Sequence, residues 1–431
     1  MKHFALNSQE TYRTEISAEA DERTMREIYL RGFERAIRIG HPTSIMCAYN
    51  KVQSIWCSET RWLLSEVLRE DWGYDGMVVS DWGAVHHGAK AVKAGLDLRM
   101  PGNPDTICDV REALDRGELT MEEIDRCTER VLKFLLRPVP REESYDRQAQ
   151  HEAARDVARE AICLLRNDSN LLPITPQKYR RICVTGEYAV RPYINGQGSA
   201  EVFTDPAYVD SPLDCLRRLL PDVQIDYFDY LPRKKPDTML WNTFTQQMPG
   251  IRDYDLVLVF TGAEPSDDSE EFDRGSNQLA GFIEDVMRNV TSHNPNCVLV
   301  LEYSEKWRVG YRYYDLHPEE IWFPFGHGLH YTTFKYDHVS IEPNVRGWVL
   351  SFDLSNIGSM DDAEVVQIYI GDPVSTASKP VKELRQFDKV FLKAGESRRV
   401  SFLLTEEDLC SGRWKTVCTM CTSAPPRGTY G

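Results

Sequence analysis

No apolar run in this 431-residue chain approaches the length of a bilayer span, so membrane-embedded classes are set aside. The N-terminus also lacks a basic stretch followed by an apolar one. Met1-Lys2-His3-Phe4-Ala5 passes straight into polar sequence, which predicts a chain without a secretory leader and a cytoplasmic location. Positive charge is scarce: 51 Lys and Arg stand against 67 Asp and Glu, a formal net charge of -16. Nucleic-acid binders need clustered cations against phosphate, so a nucleic-acid partner is excluded. The eleven cysteines are odd in number and scattered. Cys47, Cys163, Cys183 and Cys297 lie in apolar runs and read as reduced core thiols of a cytosolic protein. Cys418 and Cys421 form one C-x-x-C pair, but no second pair follows to complete a zinc set. The glycine-containing stretch Asn195-Gly196-Gln197-Gly198-Ser199 lacks the spacing of a P-loop or a dinucleotide fingerprint and reads as a surface loop. There are no internal repeats and no low-complexity segments.

What is present is ordinary globular sequence, with 27% charged and 42% hydrophobic residues, long enough for two to four domains. Residues 1–137 alternate between strand and helix patterns, which predicts parallel α/β structure. Ser44 to Tyr49 reads as a strand running into polar groups, and Met77 to Val79 as a short buried strand ending at Asp81, Trp82 and Gly83. Leu96 to Leu98 reads as a further short strand. Helices are predicted over Ser17–Ile39, over Ser58–Glu70 with Ser58 as N-cap, over Ala84–Ala94 and over Met121–Leu136. Residues 138–147, with Pro138 and Pro140, read as a linker. Residues 148–333 carry a helix over Gln148–Leu165, strands at Arg181–Thr185, Leu256–Thr261 and Cys297–Leu301, and a helix over Leu279–Val290: a second α/β layer. From Phe334 the texture turns β-rich. Val349–Leu354, Val365–Ile370 and Arg398–Leu403 are short strands with turn signals between them, which predicts a β-sandwich over 334–431.

Polar groups gather where the strands of the first region end: Lys2 and His3, Tyr49 and Asn50, Asp81 and Trp82. In barrels of alternating strands and helices that is where catalytic groups sit. The second region carries the acidic run Asp267-Asp268-Ser269-Glu270-Glu271-Phe272-Asp273-Arg274. A carboxylate nucleophile and a separate carboxylic acid are the two groups that retaining glycoside hydrolysis requires, and an indole is a natural platform for a sugar ring. Each also has a plainer reading. An Asp at a strand end caps the following helix, and an acidic run is a solvated, self-repelling loop. His86 and His87 read as surface residues opening a helix, Asp97 as a cap or ion-pair partner, and His327 as part of a domain junction rather than a ligand.

The motifs taken together resemble glycoside hydrolase family 3, and within it the β-glucosidases. They are Lys2-His3-Phe4-Ala5-Leu6-Asn7, Arg26-Glu27-Ile28-Tyr29-Leu30, Ala48-Tyr49-Asn50-Lys51-Val52 and Asp71-Trp72-Gly73-Tyr74-Asp75-Gly76. Ser80-Asp81-Trp82-Gly83-Ala84, Ala94-Gly95-Leu96-Asp97, Phe323-Pro324-Phe325-Gly326-His327-Gly328-Leu329 and Tyr331-Thr332-Thr333-Phe334 complete the set. The resemblance runs, with gaps, to about residue 405. It implies an α/β plus all-β architecture: a partial (β/α)8 barrel (1–137), a shortened α/β sandwich domain (148–333) and a C-terminal fibronectin type III-like β-sandwich (334–431). It implies Asp81 as nucleophile and Glu270 as acid/base. Lys2, His3, Arg13 and Tyr49 become members of the sugar subsite, and Trp82 its aromatic wall. No metal and no organic cofactor is expected, and the expected partner is a β-glucoside or small oligosaccharide, with a β-xyloside as the alternative specificity. The family places glycine where Glu271 stands, so Glu271 is expected either to shift the loop or to raise the pKa of Glu270 by like-charge repulsion. A full barrel takes about 250 residues, so residues 1–137 are expected to form only part of one, with the second domain internally shortened and the last sandwich strand missing. A truncated remnant that binds sugar weakly is therefore the alternative to an enzyme. The bare strand edges leave room for a second chain, so a homo-oligomer is an open assembly.

Overall fold

The computed structural model describes residues 1–138, 144–194, 198–229, 249–262, 269–273, 281–302, 311, 314–315, 318–371 and 380–409. The chain divides into two compact units, Met1–Asp146 with Thr175–Trp307, and Arg147–Ile174 with Arg308–Gly431.

In the first unit, β1 (Ser17–Ala18) runs parallel to β3 (Lys51–Val52), which pairs antiparallel with β4 (Ile55–Trp56). Between β1 and β3 in sequence comes β2 (Ser44–Cys47), which lies parallel to β5 (Met77–Ser80), with Ser44 opposite Met77 and Cys47 opposite Ser80. Phe4 bridges in parallel to Cys47 on one side and Leu98 to Val79 on the other. Four parallel segments thus stand in the order Phe4, β2, β5, Leu98, as part of a (β/α)8 barrel. Their apolar side chains (Phe4, Ile45, Val78) pack with Leu63, Leu64 and Leu68 of the helix Trp62–Asp71, all of them fully buried. Asp97, whose side chain is sealed from solvent, accepts from the Val78 amide at 2.7 Å and pairs with Arg69 at 2.8 Å and Arg130 at 2.9 Å. It is a structural ion-pair partner, tying the Leu98 segment to two outer helices.

Several boundaries differ from the sequence reading. The segment predicted as one helix over Ser17–Ile39 starts at Glu22, where Asp21 caps it, and only Arg31–Gly40 is a regular multi-turn α-helix. Its first residues are strand β1 instead, because they pair with β3. Ser58 does not cap a helix: its hydroxyl donates to the Ala84 carbonyl at 2.8 Å, and the long helix begins at Trp62. The helix predicted from Ala84 begins at Gly88, and Leu96–Leu98 makes one bridge rather than a strand. A helix at Pro104–Asp115 was not anticipated, although Asn103 caps it with proline at its first position.

The remainder of this unit is a parallel sheet of β6 (Arg181–Thr185), β7 (Gln224–Phe228), β8 (Leu256–Gly262) and β9 (Cys297–Glu302), in the order β7-β6-β8-β9. Every residue of β8 is buried, as an inner strand covered on both faces requires. The helix Gly281–His293 packs Phe282, Ile283, Val286 and Val290 onto this sheet.

The second unit is β-rich. An antiparallel sheet holds β10 (Phe334–Asn344), β11 (Gly347–Asn356) and β14 (Ser397–Thr405), and β12 (Asp362–Ile370) pairs with β13 (Glu383–Leu392). Leu350, Phe352, Leu354, Val366, Leu392, Phe402 and Leu404 form its core. The helix expected to reach Leu165 ends at Ala161, and the extended residues after it accept from this unit: Leu164 from the Leu329 amide at 2.8 Å, Leu165 from His327 at 3.0 Å. Among the described cysteines Cys47, Cys57, Cys127 and Cys183 are buried free thiols, whereas Cys163, expected in the core, is exposed. Cys418, Cys421 and the end of the sandwich lie outside the described residues. No helix among the described residues is long and apolar enough to cross a membrane.

Candidate active site

Asp81 follows β5 directly, at the C-terminal end of a parallel strand. Its side chain is 14% exposed, and one oxygen accepts from the Trp82 amide at 2.7 Å. The other lies 3.2 Å from His3 Nε2. His3 is delivered by the neighbouring Phe4 segment, which the Met46 carbonyl and Ala48 amide hold in register. Burial lowers the His3 pKa, and the Asp81 charge only partly offsets that. Tyr49, just past β2, hydrogen-bonds Asp81; burial first, then the Asp81 charge, push its phenol up to about 12. The Tyr49 phenol is therefore neutral throughout the physiological range. Trp82 is 61% exposed, a bare aromatic face beside Asp81. Lys2 is exposed and makes no hydrogen bond or ion pair among the described residues; it acts on His3 only through its charge.

Arg13 links this group to the acidic run. Its guanidinium lies 4.5 Å from the centre of the Tyr49 ring, 2.9 Å from Glu10 and 3.2 Å from Glu270. Only 8% of its side chain is exposed, and its Nε is buried without a partner among the described residues. Glu270 in turn accepts from the Ser199 hydroxyl and from the Ser199 amide at 3.3 Å. Gly198 sits against it at φ +74°, where an added Cβ would lie 3.0 Å from Glu270 Cγ. The structure thus brings six of the seven expected site residues into one connected set: Asp81, His3, Tyr49, Arg13 and Glu270 by contact, and Trp82 by its amide.

The expectation that Glu271 raises the Glu270 pKa is corrected. The Glu270 pKa is lowered, first by the Ser199 hydroxyl and then, against the opposing effect of burial, by Arg13. Glu271 does not reverse this, because it is largely exposed and its carboxylate lies 3.9 Å from Arg13. Glu271 itself has φ +71°, the left-handed conformation that glycine adopts freely and other residues at a cost of about 1–2 kcal/mol. Glu271→Gly should therefore raise the denaturant midpoint by an amount equivalent to about 1 kcal/mol; an unchanged or lower midpoint would mean the turn is not strained.

Gly198, Ser199, Glu10 and Asp273 are contributors that sequence reasoning missed. Gly198 and Ser199 are exposed, as the surface-loop reading of 195–199 expects, and they also lie on Glu270; residues 195–197 are outside the described set. Nothing in the glycine spacing signals that role, since the partner lies about seventy positions on.

Residues 1–134 match the Glycosyl hydrolase family 3 N terminal domain, 162–311 the Glycosyl hydrolase family 3 C-terminal domain, and 364–416 the Fibronectin type III-like domain. A crystal structure of a GH3 beta-glucosidase from Bifidobacterium adolescentis superposes with a TM-score of 0.83 at 30% identity, over 94% of this chain and 70% of that one. The chain belongs to glycoside hydrolase family 3. Among curated relatives, the thermostable beta-glucosidase B of Acetivibrio thermocellus is 32% identical over 94% of this chain. An exo-alpha-(1->6)-L-arabinopyranosidase of Bifidobacterium longum is 29% identical over the same share. This family 3 chain spans 63% and 64% of those two relatives' lengths.

Proposed function

We propose that this chain is a retaining glycoside hydrolase of the β-glucosidase type. Asp81 attacks the anomeric carbon as the aglycone C–O bond breaks, and Glu270 gives its proton to the departing oxygen. The sugar is then held as an ester on Asp81. Glu270, now a carboxylate, takes a proton from water; the water oxygen bonds the anomeric carbon and the Asp81 carboxylate leaves. His3 and Tyr49 orient Asp81, Arg13 lines the sugar subsite between Tyr49 and Glu270, and Trp82 stacks on the ring. Lys2 is assigned to the same subsite as a donor. No metal or organic cofactor enters either step.

The observation that carries this reading is the contact path from Asp81 through Tyr49 and Arg13 to Glu270 within one compact unit. It joins two carboxylates almost two hundred positions apart, which a solvated acidic loop would not do. Glucose is the proposed sugar. Xylose lacks the hydroxymethyl group and is the alternative, and one relative is named for an arabinopyranoside. The second reading is a remnant that binds sugar without cleaving it.

Purified full chain with p-nitrophenyl β-D-glucoside, β-D-xyloside and α-L-arabinopyranoside separates these. Turnover highest on the glucoside supports the proposal. Turnover highest on another sugar overturns the specificity, and none on any, from folded protein, leaves the remnant reading.

Glu270 adds a pH signature. A general acid must be protonated, and the Ser199 bond and Arg13 lower the pKa of this one. The alkaline limb of kcat/KM is therefore expected in the acid range, since the acid form is lost as pH rises through a lowered pKa. Ser199→Ala removes the largest lowering contact and should move that limb to higher pH. A limb that stays in place would show that another group controls it.

A further inference from the structure

Glu270 sits on a short stretch, 269–273, whose hold on the barrel does not depend on Glu270 itself. Three residues further on, the Asp273 carboxylate accepts from the backbone amide of Glu10 at 3.0 and 3.1 Å and from that of Thr11 at 2.8 Å. Its own amide donates back to the Thr11 hydroxyl at 3.0 Å. Glu10 closes a second link, accepting from the Glu271 amide at 3.3 Å while its carboxylate also holds Arg13. Residues 10–13 and 270–273 are thereby laced together in both directions across about 260 positions of sequence.

We propose that Asp273 is the positioning residue for the Glu270 carboxyl: by gripping the amides of Glu10 and Thr11 it sets the distance between the acid/base stretch and the barrel strand end that carries Asp81. The inference rests on the roles proposed above for Asp81 and Glu270 and deepens them. The physical case is directional. Successive backbone amides converging on one carboxylate form an anion cradle, and charge-assisted bonds of this kind are shorter and stronger than neutral ones. The alternatives for holding Glu270 are weaker. Glu271 is in a left-handed turn, and the Ser199 and Arg13 bonds end on the very carboxyl that must move protons. A grip three residues away leaves that carboxyl free to change charge without releasing the loop. Glu10 and Thr11 open the turn that ends at Arg13, so the same grip sets Arg13.

Asp273→Asn keeps the shape but leaves one neutral acceptor where there were two charged oxygens. Two readouts on the full chain test the proposal. In hydrogen–deuterium exchange, the amides of Glu10 and Thr11 should lose protection, with the segment holding Glu270, while the β6–β9 sheet stays protected. In kinetics, a displaced acid/base has a signature that general destabilisation lacks. Turnover of phenyl β-D-glucoside, whose leaving group needs a proton, should fall about 10²-fold, the scale of an ångström's misplacement. Turnover of 2,4-dinitrophenyl β-D-glucoside should fall far less, and azide, an anion that attacks the glycosyl-enzyme without base assistance, should accelerate it. Thr11→Ala, which removes only the return bond, should show the same split more weakly. Equal losses on both substrates, or unaltered exchange at Glu10 and Thr11, would overturn the positioning role. Should the parent chain match its own Asp81→Ala variant in showing no turnover, the function reading fails on its own. Exchange then decides the positioning role: loosening of both segments supports the grip and unaltered protection overturns it.

Discussion

Asp81→Ala is expected to reduce turnover of p-nitrophenyl β-D-glucoside by about 10⁴–10⁶-fold, the order seen when a hydrolase loses its nucleophile. The size follows from its role. Without Asp81 no glycosyl ester forms, and water must meet the anomeric carbon directly. The fold should tolerate the change. Asp81 lies past the last residue of β5, and that strand stays in register with β2, Ser44 opposite Met77 and Cys47 opposite Ser80. The Tyr49 hydroxyl and the His3 imidazole lose their acceptor, but both are only partly buried and water can replace it, so the loss to stability is about 0.5–1.5 kcal/mol. Circular dichroism of the variant should therefore match the parent while activity disappears. Residual activity above a hundredth of the parent's would remove Asp81 from the mechanism.

Glu270→Ala carries the second large effect, and its pattern matters more than its size. Proton transfer by a placed side chain contributes about 10²–10⁴-fold. That loss should appear in full with phenyl β-D-glucoside and shrink as the leaving group becomes more acidic, because a stable anion departs without a proton. Azide should restore turnover of the 2,4-dinitrophenyl substrate by forming the β-glucosyl azide. Asp81 and Glu270 thus separate cleanly: the first variant is dead on every substrate, the second only on those that need an acid. A uniform loss across leaving groups for Glu270→Ala would assign the acid to a different residue.

How much of this was legible in the sequence depends on the range of the interaction that decides each feature. The strands β2, β5, β6, β8 and β9 were readable as short apolar runs, clearest in β8, where every residue is buried. β10 was not: most of its side chains are exposed, and no alternation marks it. The helix predicted from Ser17 and the cap predicted at Ser58 failed for a related reason. Both rested on local pattern, and both residues found distant partners instead, Lys51 and the Ala84 carbonyl. Asp81, His3, Tyr49 and Trp82 were visible because strand ends are a local signal and the motifs around them are long. The environment of Glu270 was not. Its pKa was expected to rise from its neighbour in sequence, and it falls because Ser199 and Arg13, 71 and 257 positions away, reach it in space. Glu271 is largely exposed, whereas the hydrogen bonds from Ser199 and Arg13 are direct.

The most direct test of the account is covalent trapping. The full chain is incubated with 2,4-dinitrophenyl 2-deoxy-2-fluoro-β-D-glucoside, whose fluorine slows hydrolysis of the ester more than its formation. The protein is then digested and the labelled peptide sequenced by mass spectrometry. The account predicts one added fluoroglucosyl group per chain, on Asp81, absent from Asp81→Ala and retained in Glu270→Ala. A label on another carboxylate, or none from folded protein, would contradict it.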